Sequence, residues 1–267
     1  MSGSTVSSVA GPVLIAALLM ALVMAGVWGV ARRIRNAGIV DVAWSANFSL
    51  LALLYATTLP GHPPRRLLIG GMTLAWSLRL ALYLYRRVMG HHPVEDGRYA
   101  ELRREWAPHA DRRFFWFFQA QGLLNVVLAA PLLLACVNPA PVLHPLEWTG
   151  AALFGVALLG ESAADRHLEA WKRDPANQGR TCRAGLWRFS RHPNYFFEWL
   201  VWVAFFVFAT ASPGGWLSAY CPALMLLFLF RVTGIPMTEA QALKSRGDDY
   251  REYQRTTSAF FPWFPRA

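Results

Sequence analysis

Charged residues are scarce in this chain of 267 residues, and the usual soluble nucleotide-binding motifs are missing. Asp, Glu, Lys and Arg together make up 16% of the sequence, against roughly 25% in a typical globular domain. No GxGxxG follows a predicted strand and no GxxxxGK(S/T) occurs, which excludes a Rossmann domain and a P-loop. The shortage of charge also argues against an ordinary soluble fold.

Cysteine is scarce as well. Cys136, Cys182 and Cys221 are widely spaced and odd in number, and no CxxC occurs. No His–Cys pattern with the spacing of a zinc site occurs either. The sequence therefore predicts neither a disulfide framework nor a metal site.

Apolar residues, by contrast, form seven long blocks. A hydrocarbon core about 30 Å thick needs roughly 20 apolar residues per helix. The first block lacks a basic segment before it, so we interpret it as a retained helix rather than a signal peptide. The pattern predicts an all-α polytopic membrane protein, a bundle of about seven transmembrane helices forming a single domain over residues 1–267. The blocks cover about residues 11–31, 39–59, 67–89, 114–137, 147–170, 196–211 and 216–236.

Positive charge is distributed unevenly over the connections between these blocks. With the N-terminus placed outside, most of the 26 Lys and Arg residues fall in the odd-numbered connections and in a C-terminal tail, residues 237–267. The other connections carry only Arg65 and Arg66. Because cytoplasmic loops are enriched in Lys and Arg, we predict an outside N-terminus and a cytoplasmic tail. The basic residues form no dense patch with stacking aromatics, so no nucleic-acid partner is expected.

Ionisable residues also occur within the predicted spans, where each is costly unless paired or hydrated. Asp41 opens the second span, Arg79 lies in the third, and Glu161 and Asp165 stand one helical turn apart in the fifth. Pairing between helices is the alternative explanation for any one of them. Their concentration towards one side predicts a polar cavity that is open to the cytoplasm.

Residues 183–198, with the sequence RAGLWRFSRHPNYFFE, have the densest chemistry in the chain. Ser190 and Pro193 predict a helix start, and Asn194 and Glu198 share one face of that helix. A helix N-terminus and planar guanidinium groups both favour a phosphate. Juxtamembrane charge with a simple helix cap is the alternative. The preceding arginines are Arg180, Arg183, Arg188 and Arg191.

The segment SRHPNYFFE, residues 190–198, resembles the C-terminal signature of the steroid 5α-reductase family. More broadly it resembles membrane sterol reductases and isoprenylcysteine carboxyl methyltransferases. The runs DVAW (41–44), WSLR (76–79), RGDDYREYQR (246–255) and FFPWFP (260–265) are similar to the bacterial branch of that family. The resemblance covers residues 39–267.

The resemblance implies NADPH held from the cytoplasmic side and a lipophilic substrate that enters from the bilayer. The implied reaction is reduction of a C=C bond conjugated to a carbonyl, as in 3-oxo-Δ4-steroid 5α-reductases. In the animal enzymes a Glu and a Tyr polarise the steroid carbonyl, and their nearest counterparts are Asp41 and Trp76. Membrane lipids are expected neighbours, no obligate protein partner is expected, and the expected location is a bacterial inner membrane. By position, the cofactor contacts fall on Asp165, Lys172, Arg173, Arg180, Arg191, His192, Asn194, Tyr195, Glu198 and Arg231.

Two other functions stay open on the sequence. A methyltransferase that uses S-adenosylmethionine is possible on the same scaffold, although the arginine-rich segment favours NADPH because S-adenosylmethionine carries no phosphate. A non-enzymatic lipid-binding protein predicts that Asp165, Asn194 and Glu198 are replaceable without loss of any ligand. The natural substrate and the oligomeric state are also open.

Overall fold

The computed structural model describes residues 3–232 and 234–266, which are mostly helical and contain no strand. The all-α prediction is therefore confirmed. Short 3-10 turns cover Pro175–Asn177, Gly185–Arg188 and Gly215–Ala219, and Phe228–Val232 is a π-helical turn. The helices are α1 (Gly3–Ile34), α2 (Ile39–Thr58), α3 (Pro63–Gly90), α4 (Gly97–Glu105), α5 (Ala110–Leu128), α6 (Ala130–Cys136), α7 (Pro145–Arg173), α8 (Pro193–Ala209), α9 (Tyr220–Leu227), α10 (Ile235–Arg246) and α11 (Asp248–Thr256).

Five helical segments in the described part of the chain are long and apolar enough to cross a bilayer, which indicates a multi-pass membrane protein. Helix α7 is long enough, but it carries several acidic and basic residues, and α8 is apolar but only 17 residues long. The count of seven spans and the orientation of the termini stay predictions. The five segments are Val9–Ile34, Ile39–Thr58, Pro63–Gly90, Ala110–Val137 and Gly215–Arg246.

The chain divides into two compact units. Unit 1 comprises Met1–His144 with Ala209–Trp216, and unit 2 comprises Pro145–Phe208 with Leu217–Ala267.

Buried amide side chains join α2 to α5 in unit 1. The Asn47 amide donates to Asn125 Oδ1 at 2.9 Å, and the Asn125 amide donates to the Trp44 carbonyl at 3.0 Å. Gly122 lets α5 approach α1 closely, since a Cβ there would lie 3.1 Å from Met24 Cγ. Hydrogen bonds of this kind hold helices together where lipid offers no hydrophobic driving force between them.

Three buried serines join α2 to α3. Ser77 Oγ donates to the Ser45 carbonyl at 2.5 Å, and Ser77 Oγ and Ser49 Oγ lie 2.7 Å apart. Ser45 and Ser49 are four residues apart and therefore on one face of α2. These contacts fix the rotation of α2 about its own axis.

Arg65, at the start of α3, is fully buried. Its guanidinium donates to the carbonyls of Asn138, Ala140 and Val142 at 3.0, 2.7 and 2.8 Å. Sequence reasoning treated Arg65 as one of two cations in outside connections. In the structure, its side chain organises the turn that follows α6.

We expect Arg65→Lys to destabilise unit 1, because an ammonium group cannot reproduce a planar fork that serves three carbonyls. The loss should be about 2 kcal/mol, seen as a lower melting temperature of the detergent-solubilised protein. Arg86→Lys is the matched control, since Arg86 is exposed on the same helix. Equal melting temperatures for the two variants would contradict this role of Arg65.

Glycines allow α7 and α8 to pack closely and antiparallel in unit 2. A Cβ on Gly150 would lie 2.8 Å from the Phe208 backbone nitrogen, and one on Gly160 would lie 2.3 Å from the Phe197 ring. The earlier glycine of α7 lies next to the later residue of α8, and the later glycine lies next to the earlier residue, so the two helices run in opposite directions. Larger residues at either glycine would force these two helices apart.

The turn Gly185–Arg188 is attached to the last turns of α7. Trp187 Nε1 donates to the Ala164 carbonyl at 2.8 Å. Gly185 has a φ of +54°, and a Cβ there would lie 2.3 Å from His167 Nδ1. Both the backbone conformation and the close ring require glycine at this position. The turn thereby positions the residues that lead into α8.

Candidate functional site

Asp41, on the first turn of α2, lies at the centre of a charged group in unit 1 that we call the Asp41 cluster (Asp41, Arg87, Asp96, Arg98 and Tyr99). Arg98 Nη2 lies 3.1 Å from Asp41 Oδ2, and Arg87 Nη2 lies 3.8 Å from the same oxygen. Asp96 caps α4 by accepting the Arg98 backbone N–H at 3.0 Å. The Asp41 side chain is 25% exposed, so the cluster is sheltered but open on one side.

Tyr99 is the closest partner of Asp41. Its hydroxyl donates to Asp41 Oδ1 at 2.6 Å, and its ring is buried against Phe114 and Phe117. Burial and the charge of Asp41 hold the pKa of Tyr99 well above its usual value. The phenol is therefore protonated over the whole working pH range, and it is a potential donor at the end of a membrane span.

Arg98, one of the two arginines of the Asp41 cluster, stays charged because of its acidic neighbours. Burial alone would lower the pKa of Arg98, but the charge of Asp41 raises it above the ordinary value. Burial would likewise raise the pKa of Asp96, yet the hydrogen bond and charge of Arg98 lower it. The cluster thus combines fixed charges of both signs with one neutral proton donor, Tyr99.

Trp76, the other predicted catalytic residue, is fully buried in α3. Its ring packs on Phe48, with the centroids 5.3 Å apart. Phe48 is seven residues beyond Asp41 on α2, about 10 Å along the helix axis. The structure thus places Trp76 among aromatic rings deeper along α2, and it places Tyr99 beside Asp41.

In unit 2, the signature segment forms part of a second group, the Glu239 cluster (Arg191, His192, Glu239, Tyr250 and Gln254). Arg191 Nε donates to Glu239 Oε1 at 2.7 Å, and His192 Nε2 lies 3.2 Å from the same oxygen. Gln254 donates to Glu239 Oε2 at 2.8 Å. Burial lowers the pKa of His192 despite this carboxylate, so the imidazole is neutral at pH 7.

Arg191 also serves the end of α11. Its Nη1 donates to the carbonyls of Gln254 at 3.0 Å and Thr257 at 2.5 Å. A cation at a helix C-terminus satisfies carbonyls that have no partner within the helix. Nε and Nη1 of this guanidinium are thus hydrogen-bonded, and the Arg191 side chain is only 11% exposed. Arg191 thereby positions the segment before α8, and its contact with a cofactor stays a prediction.

Helix α8 begins at Pro193, as the Ser190–Pro193 pattern predicts. Ser190 Oγ accepts the His192 backbone N–H at 3.1 Å and donates to the Phe260 carbonyl at 2.8 Å. The Tyr253 hydroxyl donates to the Ser190 carbonyl at 3.0 Å. The C-terminal aromatic segment is thus folded back onto the start of α8.

The remaining predicted cofactor residues of unit 2 fall into two groups. Asp165 is buried on α7, and Asn194 and Glu198 lie on the first turns of α8. Asn194 Oδ1 is buried and accepts no hydrogen bond from the described residues. Tyr195 stacks on His192, with the ring centroids 5.3 Å apart. The exposed group is Lys172, Arg173, Arg180 and Arg231, of which Arg231 lies in the π-helical turn.

An ion pair between Arg183 and Asp249 ties the connection after α7 to α11. Arg183 Nη2 lies 3.0 Å from Asp249 Oδ1, and the Thr181 backbone N–H donates to Asp249 Oδ2 at 2.7 Å. Burial would raise the pKa of Asp249, but the hydrogen bonds from Thr181 and the charge of Arg183 lower it below its usual value. This contact leaves Arg180 and Arg188 as the arginines of the connection whose side chains have no partner in the described chain.

Sequence reasoning missed Tyr99 and Glu239. Tyr99 is the one tyrosine in the connection between the third and fourth predicted spans, and Glu239 is the one carboxylate between Glu198 and Asp248. A single tyrosine or carboxylate in an otherwise different segment is the sequence signal that could have identified these two residues. Among the described residues, no group of three or more His, Cys, Asp or Glu side chains could hold a metal ion, and the three cysteines are free and buried.

Comparison with known proteins gives a family match and one distant relative. Residues 27–257 match a family described as "Protein of unknown function (DUF1295)". The chain is 27% identical over 271 residues to "Uncharacterized protein C594.04c" of Schizosaccharomyces pombe, with 92% of this chain and 78% of the relative covered. No solved structure matches significantly.

Proposed function

The chain belongs to the DUF1295 family, within the steroid 5α-reductase-like superfamily, and we propose that it uses NADPH to reduce a C=C bond conjugated to a carbonyl in a lipophilic substrate. The observation that carries the proposal is the 2.6 Å hydrogen bond from Tyr99 to Asp41 at the end of a membrane span. The substrate is steroid-like in polarity and enters from the bilayer. Under this proposal the chain keeps the predicted seven spans with the C-terminus in the cytoplasm.

Tyr99 supplies the hydrogen-bond donor that stabilises the enolate in the proposed reaction. When hydride adds to the β-carbon, negative charge develops on the carbonyl oxygen of the substrate, and a preorganised donor must stabilise it. The Tyr99 O–H is such a donor, because its hydrogen swings from Asp41 to the substrate by rotation about one C–O bond. Arg98 and Arg87 keep Asp41 neutralised while this happens. A water proton at the α-carbon completes the saturated product.

The residues of unit 2 fit a phosphorylated dinucleotide in two respects. Asn194 has a buried acceptor oxygen without a partner in the described chain, which is an available site for an amide or hydroxyl donor. Arg180 and Arg188 are exposed guanidinium groups without an ion pair among those residues, and such groups bind phosphates through paired hydrogen bonds. NADPH, when bound, supplies the hydride. In this proposal Arg191 and His192 position the signature segment.

The direct test uses the purified full-length protein in detergent with NADPH deuterated at both C4 positions and a Δ4-3-keto steroid as the probe substrate. We expect one deuterium in the product at the β-carbon. A product without deuterium contradicts the proposal, as does methylation without reduction of the steroid in a parallel incubation that contains S-adenosylmethionine. The second outcome would favour the methyltransferase alternative.

A pair of matched variants tests the phosphate contacts. Arg180→Gln/Arg188→Gln should weaken NADPH binding by roughly ten-fold or more, since each lost charge-assisted hydrogen bond reduces affinity. Lys244→Gln/Arg255→Gln removes the same charge from exposed positions of unit 2 and should bind as the parent protein does. Absence of any affinity for NADPH in the folded protein would contradict the proposed cofactor.

A further inference from the structure

A cavity of about 820 Å³ in unit 1 is lined mostly by charged side chains. It lies where the end of α1 meets the start of α5 and the connection before α4. Four arginines and two carboxylates surround it, which leaves an excess of two positive charges. The charged lining residues are Arg32, Arg33, Arg35, Arg103, Glu95 and Asp111.

The two carboxylates are already occupied. Glu95 binds Arg103 through contacts of 2.9 and 2.8 Å and also accepts the Ala37 backbone N–H at 2.7 Å. Asp111 pairs with Arg32 at 3.1 Å. Arg33 and Arg35, in contrast, have exposed side chains without an ion pair or hydrogen bond in the described part of the chain. The uncompensated charge of the cavity therefore lies on these two arginines.

The position of the cavity along the chain points to the depth of lipid headgroups. It adjoins the last turn of the span Val9–Ile34 and the first turn of the span Ala110–Val137. Trp28, one turn before Arg32, donates through Nε1 to the Asp111 carbonyl at 2.9 Å and lies under the Arg32 guanidinium, 4.8 Å from it. Tryptophan is enriched at membrane–water interfaces.

An apolar surface leads away from the cavity along α1. Leu18 and Leu22 are exposed by 57% and 73%, and the spacing of Leu18, Leu22, Gly29 and Arg33 places them along one face of the helix. An acyl chain fits such a surface, and a phosphate fits the arginines above it. A soluble anion would contact only the arginines and would gain nothing from the apolar surface.

We propose that this cavity binds the phosphate group of an anionic phospholipid, with Arg33 and Arg35 as the principal contacts. Guanidinium groups bind phosphate oxygens through paired, charge-assisted hydrogen bonds. The proposed reductase chemistry uses none of these residues, so a test can contradict one of the two proposals without contradicting the other.

Native mass spectrometry of the full-length protein in mild detergent tests the proposal, with phosphatidylglycerol and phosphatidylcholine as probes. We expect retention of phosphatidylglycerol in preference to phosphatidylcholine, and a loss of affinity of roughly ten-fold in Arg33→Gln/Arg35→Gln. Arg112→Gln/Arg113→Gln is the matched control, because both residues are exposed at the start of α5 and do not line the cavity. Equal losses in the two variants would show surface charge alone and overturn the proposal.

Competition with inorganic phosphate identifies the source of the phosphate group. We expect inorganic phosphate, matched to the control in ionic strength, to leave phosphatidylglycerol bound, because it gains nothing from the apolar face of α1. Displacement of the lipid by inorganic phosphate at equal concentration would assign the cavity to a soluble anion and overturn the lipid assignment. Retained reductase activity in the Arg33→Gln/Arg35→Gln variant would show that the enzyme site is separate.

Discussion

Tyr99→Phe should lower kcat for enone reduction by roughly 10²- to 10³-fold, the range typical of a lost donor to a developing oxyanion. The substitution removes one hydroxyl and keeps the ring that packs on Phe114 and Phe117. KM should change little, because the hydroxyl acts on charge that develops after binding. The measurement is steady-state reduction of the probe steroid, with product deuterium as the readout.

Tyr85→Phe is the control for this effect. Tyr85 is a half-exposed tyrosine of unit 1, so its hydroxyl should be dispensable for both activity and melting temperature. A Tyr99→Phe enzyme with the parent kcat would remove Tyr99 from the mechanism. A fall in kcat that follows a fall in melting temperature in both variants would assign only a structural role to the phenol.

Glu239→Gln should destabilise unit 2 by about 3 kcal/mol, since it leaves the enclosed cation of Arg191 without its carboxylate. Arg191 and Glu239 are 11% and 14% exposed, so water cannot fully replace the lost charge. The amide introduced by Glu239→Gln would keep only one acceptor oxygen, whereas Glu239 uses Oε1 for Arg191 and His192 and Oε2 for Gln254. The measurement is thermal unfolding in detergent, with proteolysis of α10 and α11 as a second readout.

Glu252→Gln makes the same chemical change at an exposed ion pair with Arg183, where the expected loss is within about 0.5 kcal/mol. In addition, the double variant Arg191→Gln/Glu239→Gln should be more stable than the two single losses predict, because no unpaired cation remains. Strict additivity of the two losses, or equal melting temperatures for Glu239→Gln and Glu252→Gln, would contradict the central role of Glu239.

Local sequence patterns were sufficient to predict where the helices lie. The first six predicted apolar blocks coincide largely with α-helix, because block length and the positions of Ser, Pro and Gly act within a few residues. The seventh, 216–236, contains a 3-10 turn, α9 and a π-helical turn, and residue 233 of this block lies outside the described residues. The break between α5 and α6, inside the predicted block 114–137, falls two residues before Pro131, whose ring cannot continue the hydrogen-bond ladder. Block 147–170 is helical, yet its charged residues keep α7 outside the set of clearly apolar spans.

The partners of the key side chains could not be predicted in the same way. Tyr99 is 58 residues from Asp41, and Glu239 is 48 residues from Arg191. Such pairs form only when separate helices pack, and one sequence carries no record of that packing. In addition, the local sequence does not distinguish an arginine that binds the carbonyls at a helix C-terminus from an arginine that binds a phosphate. For that reason the sequence predicts Arg191 as a ligand contact, whereas its hydrogen bonds in the structure are made within the protein.

The serine contacts between α2 and α3 have a consequence for interpreting variants. Asp41 precedes Ser45 by four residues, so the carboxylate and the serines that contact α3 lie on one stripe of α2. Turning a helix by one residue step, about 100°, would carry the whole stripe away from α3. A bulky side chain at Ser49 or Ser77 would therefore rotate α2 and change the position of the Asp41 carboxylate without contacting it. Loss of turnover after such a change reports an altered helix angle, and it does not identify a residue that touches the substrate.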